Sequence, residues 1–307
     1  MRDRQITNLP ASVLQRLRNE SRKRNQIFQE ILTYFGLERF LYRLSKSDYC
    51  ERFVLKGALV MMTWPTRILR TTRDLDFRAY IRSDQEEVSR IIREICTVDI
   101  EPDAIRFDVD SVKTEIIIER AKYPGVRVYL IGYIEAVKIP LQIDLGFSDE
   151  INPPPMVVNF PTILDFPNPV VYAYQPETVL SEKVEAIYCL GDLNTRMNDF
   201  YDIWVISNEF QIDGSSLLEA MSTTFMTRGT RFEVGLSTLF SEEFIGSKSD
   251  LWKAFLAGIG KQEIVSTNFE SILVRIEEFI QPIMDVLTND GNLDKKWDPK
   301  KGWRERC

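Results

Sequence analysis

Asp74-Leu75-Asp76 sets two carboxylates two residues apart in a run, RDLDFRAYI, whose apolar residues alternate with polar ones. A strand places such a pair on one face, where like charges repel unless a cation sits between them. Hard divalent ions with oxygen ligands suit that pattern, and so does an ordinary solvent-facing strand. A third acid, Asp144, interrupts the apolar strand Ile139–Leu145 (IPLQIDL) just before the turn Gly146-Phe147. Between Ile143 and Leu145 it needs either a structural partner or a metal, because a buried unpaired carboxylate is costly. The chain contains no histidine, which excludes Ser-His-Asp and Cys-His catalysis and His-ligated zinc. Chemistry has to run on carboxylates, lysine, arginine and hydroxyls.

Other residues extend this set. Lys56-Gly57-Ala58 lies upstream of the acidic strand; a glycine opening a helix lets backbone amides approach phosphate oxygens, or simply permits close packing. Arg70-Thr71-Thr72-Arg73 brings cations and hydroxyls to the start of the strand. Further on, Lys183 shares a helix face with Val179, Leu180 and Ile187, where it either snorkels or meets an anion. Asp199 and Asp202 share a face of the next helix with Ile203 and Ile206, and can pair with Lys183 or Arg196. Seen together, the acids and the lysine make a phosphoryl-transfer set; each alone has a structural reading.

The elements that must position these residues can be read from periodicity. Helices are expected from Pro10 through Leu14 and Leu17, and over Ile27–Phe35 and on to Leu44. Residues 53–62 read as a short helix around Gly57, and a helix carries Val88, Ile91, Ile92 and Ile95. Strands are expected at RDLDFRAYI, Glu115–Glu119, Val126–Ile134 and Val137–Leu145. This implies an α+β or α/β core with a mixed sheet and helical cover. Residues 152–176 hold seven of the chain's 14 prolines and read as an extended crossover, neither helix nor central strand. Helices follow near 177–190, 196–208, 215–227, 249–257 and 268–287, and the residues after Asn289 read as a frayed tail. The expected domains are 1–150, a crossover over 151–176, a helical domain over 177–290 and a tail over 291–307.

With 307 residues, 44% hydrophobic and 28% charged, the chain has room for two packed domains and is not disordered. No apolar run reaches the ~18–20 residues of a membrane span, and the opening MRDRQITNLP lacks the apolar core of a signal peptide. Cys50, Cys96, Cys189 and Cys307 lie far apart, with no CxxC pair. The expectation is a cytoplasmic protein without membrane contact, with Cys50, Cys96 and Cys189 packed as small apolar residues. Residues 1–73 hold 15 Lys/Arg against 6 Asp/Glu, and the remainder 24 against 40. That asymmetry points either to an anionic partner such as RNA on one surface or to an ordinary solvated face.

Five segments in order, LKGALVMM, RTTRDLDF, PLQIDLGFSD, YQPETVLSEKVEAI and NTRMNDFYDIW, resemble the AbiEii/AbiGii toxin family of nucleotidyltransferase-like proteins. The resemblance spans roughly residues 8–285. It implies a minimal polymerase-β-like nucleotidyltransferase domain joined to a C-terminal helical domain, in bacterial toxin–antitoxin or phage-defence systems. By the same resemblance Asp74, Asp76 and Asp144 are ligands of Mg²⁺, Gly57 and Ala58 belong to a phosphate-binding turn, and Arg70 and Thr72 flank an NTP. Lys183 and Asp199 are the further catalytic residues. The chain departs from the pattern at Ala58, where a serine is usual, and at Asn198, where a lysine often stands. The implied activity is Mg²⁺-dependent transfer of a nucleotide to RNA, the tRNA 3′ end in some relatives, with an antitoxin encoded nearby. Nucleotidylation of a protein hydroxyl and a nucleotide-binding module without catalysis are the alternatives.

Overall fold

The structure is a computed structural model, and it describes residues 8–66, 70, 72–118, 124–147, 150–231, 240–289 and 291–306. The chain divides into two units. One comprises Met1–Pro65, Thr71–Ser148 and Met156–Ala173, the other Thr66–Arg70, Asp149–Pro155 and Tyr174–Cys307.

In the first unit, helices α1 (Leu9–Arg24) and α2 (Phe28–Ser45) precede β1 (Phe53–Lys56), the single turn α3 (Gly57–Val60), β2 (Asp74–Ala79) and α4 (Gln85–Cys96). Then come β3 (Arg106–Ile117), β4 (Gly125–Ile134), β5 (Val137–Gly146), β6 (Met156–Asn159) and β7 (Val170–Ala173). Asn8 caps α1 through its side chain and Asp84 caps α4, satisfying first-turn amides that have no partner within the helix. The seven strands form one mixed sheet in the order β3-β4-β5-β2-β1-β7-β6. Strands β5 and β2 run parallel, as do β1 and β7, and the other neighbours are antiparallel.

Alternation gives the sheet two different faces. Leu75, Phe77 and Ala79 of β2 are buried, and Leu75 and Phe77 stand beside Ile143 and Leu145 of β5. Helix α2 packs on this apolar face, and its Gly36 lies so close that an added Cβ would stand 2.9 Å from Leu141. The chain therefore runs helical straight through Gly36, because the missing side chain is what lets the helix reach the sheet. The acids of β2 and β5 project from the other face.

Several expectations need correction. Residues 53–56 are strand β1 rather than the start of a helix, since Phe53, Val54 and Leu55 pair with β2 and are buried on both sides. Strand β3 begins at Arg106, nine residues before the expected Glu115, and Glu119 falls outside the described residues. The proline-bearing stretch supplies β6 and β7, and β7 lies inside the sheet between β1 and β6. Val170–Ala173 contains no proline, so every residue of β7 can donate to the ladder. Residues 161–167 are anchored instead by side chains of α2. Tyr34 donates to the Pro161 carbonyl, Arg39 to the Pro167 carbonyl, and Glu38 accepts from the Ile163 amide.

In the second unit, α5 (Pro176–Leu190), α6 (Met197–Glu209), α7 (Gly214–Arg228), α8 (Glu242–Gly258) and α9 (Phe269–Thr288) carry the core. Phe200, Tyr201, Phe244, Trp252 and Phe269 meet there with ring centroids 5.4–6.3 Å apart, within the range that favours tilted aromatic pairs. Helix α8 begins seven residues earlier than expected because Ser241 caps it, accepting from the Phe244 amide. The expected frayed tail forms a hairpin, β9 (Lys295–Asp298) and β10 (Gly302–Glu305), and β9 pairs with β8 (Ile212–Asp213). What holds it is Trp297, buried 4.6 Å from the Phe279 ring with its indole donating to the Ser207 carbonyl. No described helix is long and apolar enough to cross a membrane.

Candidate functional site

The register of the first unit's sheet lines up one row of charges across five strands. Lys56 of β1 pairs with Asp76 of β2, Asp76 with Asp144 of β5, Asp144 with Arg127 of β4, and Arg127 with Glu115 of β3. Directly paired residues share a face, so all five side chains leave the sheet on the side away from α2. Asp74, two residues before Asp76, stands in the next row beside Gln142. The structure thus brings Asp74, Asp76 and Asp144 onto one surface from two strands distant in sequence. Asp74 is exposed, Asp76 half-buried and Asp144 buried.

Asp144 has found a structural partner. The Arg127 guanidinium donates to both of its oxygens, Nε at 2.8 Å and Nη2 at 2.7 Å, and the Gln142 amide stands 3.3–3.4 Å from the same pair. Asp144 forks the guanidinium and so holds the Arg127 pKa above its ordinary value. Among the described residues no group of three or more Cys, Asp or Glu side chains is drawn close enough to hold a metal ion. Asp144 leans toward the arginine instead.

Gly57 and Ala58 open α3, which is only four residues long and runs into a 3-10 turn. A single turn sums too few peptide dipoles to act as an anion site, so the phosphate argument from a helix start does not hold here. Gly57 matters for a different reason. Its φ is +69°, and a Cβ there would collide with the Asp76 carboxylate. Only glycine lets the backbone pass so close to that acid. Thr72 is half-buried, Thr71 lies outside the described residues, and Arg73 pairs with Glu30 at 2.9 Å.

The second unit holds the other expected residues. Lys183 of α5 is buried, 2.7 Å from Asp202 and 3.1 Å from Asp199, both on α6. Asp202 also accepts a two-pronged bond from Arg70, at 2.9 Å to Nε and 2.8 Å to Nη2. Two cations and two carboxylates therefore form one buried cluster. Burial pulls the Lys183 pKa down, but Asp202 and Asp199 outweigh it and hold the ammonium above its ordinary value. Burial likewise pushes Asp202 up, and the opposing Lys183 and Arg70 charges hold it below the usual carboxylate range. Lys183 thus meets an anion and does not snorkel, and Arg70 is turned to Asp202.

Part of the basic N-terminal third is paired within the protein, with Lys23 and Arg24 at its exposed surface. Arg39 and Arg43 are buried against Glu38 and Asp103, Arg24 and Lys23 meet Glu20, and Arg70 meets Asp202. Cys96 is packed as expected, but Cys189 is exposed at the last turn of α5, where its thiol meets Glu185 and Thr230.

Sequence reading did not single out Arg127 or give Lys56 a role, and it left Asp202 as one of two possible partners. The alternation of β4 marks Arg127 as outward-facing. Its alignment with Asp144 depends on the strand register, and no single segment carries that.

Residues 39–275 match the family described as nucleotidyl transferase AbiEii toxin, type IV TA system. Among solved structures the fold is similar to that of MenT4, a nucleotidyltransferase toxin from Mycobacterium tuberculosis H37Rv. That pair shares 14% identity at a TM-score of 0.50, over 91% of this chain and 98% of the other. JHP933 from Helicobacter pylori is 12% identical at a TM-score of 0.46, over 84% and 94% of the two chains. No curated protein sequence matches the chain.

Proposed function

The chain belongs to the AbiEii family of nucleotidyltransferase toxins, and we propose that it moves a nucleotide from an NTP to an RNA acceptor, the tRNA 3′ end, and so blocks translation. The observation that carries this reading is the placement of Asp76 beside Asp144 on adjacent parallel strands, with Asp74 on the same face. The donors are all oxygen, as a hard divalent ion requires, and Gly57 leaves the space beside Asp76 that a side chain would fill. Asp74, Asp76 and Asp144 are accordingly the residues that would hold Mg²⁺. Bound there, Mg²⁺ supplies neutralisation of triphosphate charge and lowers the pKa of an acceptor hydroxyl.

This chain's own residues set limits on the rest. Lys183 remains an ammonium, because its two carboxylates raise its pKa; it is a fixed positive charge and no general base. Developing negative charge on a transferring phosphoryl group is what such a charge stabilises. Asp199, 3.1 Å from the ammonium, orients it. Ala58 offers no hydroxyl to a phosphate. Thr72 retains a hydroxyl beside the acidic strand. An antitoxin partner belongs to the same reading, as the type IV family description implies, and action in the cytoplasm is part of the proposal.

The test is purified full-length protein with each labelled NTP, Mg²⁺ and total tRNA. Label is expected in RNA, and Asp76→Ala and Lys183→Ala are expected to abolish it. Label in protein instead would make a protein hydroxyl the acceptor, and an unimpaired Asp76→Ala would end the proposal.

A further inference from the structure

Asp144 is the most buried of the three strand acids, and both of its oxygens are occupied by one arginine. That arginine has a second seat. Glu115 on the neighbouring strand has an oxygen 3.9 Å from Arg127 Nη1, and it already accepts a 2.7 Å bond from the Tyr129 hydroxyl. The side chain of Glu115 is 49% exposed and that of Arg127 30%, against 12% for Asp144. Arg127 therefore stands between an inner acid of the cluster and an outer, solvated one.

We propose that Arg127 is a built-in counter-ion that competes with a divalent cation for Asp144. With no ion present it neutralises the inner acid; when a cation takes Asp144, the guanidinium turns to Glu115. The proposal rests on the reading of Asp74, Asp76 and Asp144 as cation ligands.

Two physical arguments favour competition over sharing. Three carboxylates on one sheet face repel, and a buried one left without a partner carries a desolvation cost. A protein that must fold before it meets its ion needs a cation of its own in that place. Secondly, a divalent ion on Asp144 and a guanidinium forked on the same two oxygens are like charges a few ångströms apart. Release to Glu115 removes that repulsion with a side-chain rotation alone, because Glu115 is Arg127's direct partner across the β3–β4 ladder. The two seats are flanked by neutral hydrogen-bonding groups, Gln142 at Asp144 and Tyr129 at Glu115.

The measurement is Mn²⁺ binding to the full-length, nucleotide-free protein by electron paramagnetic resonance, with Mg²⁺ as competitor. Arg127→Met is expected to tighten Mn²⁺ binding about fivefold, the equivalent of one partly exposed ion pair removed from competition. Glu115→Gln is expected to weaken it by roughly twofold, because the displaced arginine loses its other seat. In an Asp144→Asn background, Arg127→Met is expected to change nothing. Circular dichroism follows the fold, and Arg127→Lys, which keeps the charge but not the fork, is expected to fall between wild type and Arg127→Met. Unchanged or weaker Mn²⁺ binding by folded Arg127→Met and Arg127→Lys overturns the proposal and makes Arg127 a fixed support of Asp144. Separately, an Asp76→Asn protein that binds Mn²⁺ as wild type does removes the cation reading itself, whatever Arg127 does.

Discussion

Asp202→Asn deletes one charge from the second unit and leaves the shape of the side chain intact. Asp202 accepts three bonds from cations, two from Arg70 at 2.8–2.9 Å and one from Lys183 at 2.7 Å, and its side chain is 1% exposed. Removing one partner of such a buried pair costs about 3–5 kcal/mol, because the remaining charge is left uncompensated. Asp199 still serves Lys183 from 3.1 Å, so the lower end, about 3 kcal/mol, is expected. In a chain of 307 residues that lowers the melting temperature by roughly 5 °C. Asp199→Asn, which removes a single bond, is expected to cost about 1 kcal/mol. The pH dependence carries a sign. Asp202 is held below its unfolded value of 3.8, so its contribution is complete above that value and disappears as pH falls through the lower, folded pKa. Urea unfolding at pH 7 and at progressively lower pH measures both quantities. An Asp202→Asn protein as stable as wild type, or a difference that does not shrink in acid, refutes the cluster as described.

Three more expectations can be checked with the same methods. Gly57→Ala meets both a φ of +69° and the Asp76 carboxylate, so a loss of about 1–2 kcal/mol and a weakened cation site are expected from urea unfolding and Mn²⁺ titration. Burial pushes the Glu38 carboxyl up to about 8 from 4.5. The folded state therefore holds a proton that the unfolded state releases above 4.5, and this contribution to stability declines as pH rises from about 4.5 to about 8. Glu38→Gln is expected to flatten that slope, which denaturation between those pH values reads directly. Trp297→Ala empties the space under Phe279 and removes the bond to Ser207; a loss of about 3–5 kcal/mol in thermal unfolding is expected.

The elements with a long, clean period were legible in the sequence. Helix α4 with Val88, Ile91, Ile92 and Ile95, and α9 with Ile272, Leu273, Ile276 and Ile280, carry their own burial pattern, and α9 lies within a residue of the expected 268–287. Strands decided by partners were not. Phe53–Lys56 and Val170–Ala173 are four residues each, too short to show a period, and they are strands because each lies beside the other in the sheet. The hairpin Lys295–Glu305 reads as polar because two tryptophans, Trp297 and Trp303, supply most of its apolar contact. At the candidate site the residue types were legible and their pairings were not. Asp144 announces itself as an acid in an apolar strand, but Arg127 becomes its partner only through the β4–β5 register. Lys183 likewise sits on an apolar helix face, yet its choice of both Asp199 and Asp202 follows from how α5 packs on α6.

The measurement that bears most directly on the strand carboxylates as a cation site is the anomalous scattering of Mn²⁺. Crystals soaked with Mn²⁺ and a non-hydrolysable NTP analogue should show a peak within coordination distance of the Asp74 and Asp76 oxygens, about 2.0–2.6 Å, with nucleotide phosphate beside it. A well-occupied nucleotide whose Mn²⁺ lies away from both aspartates, or crystals in which neither binds, contradicts the account.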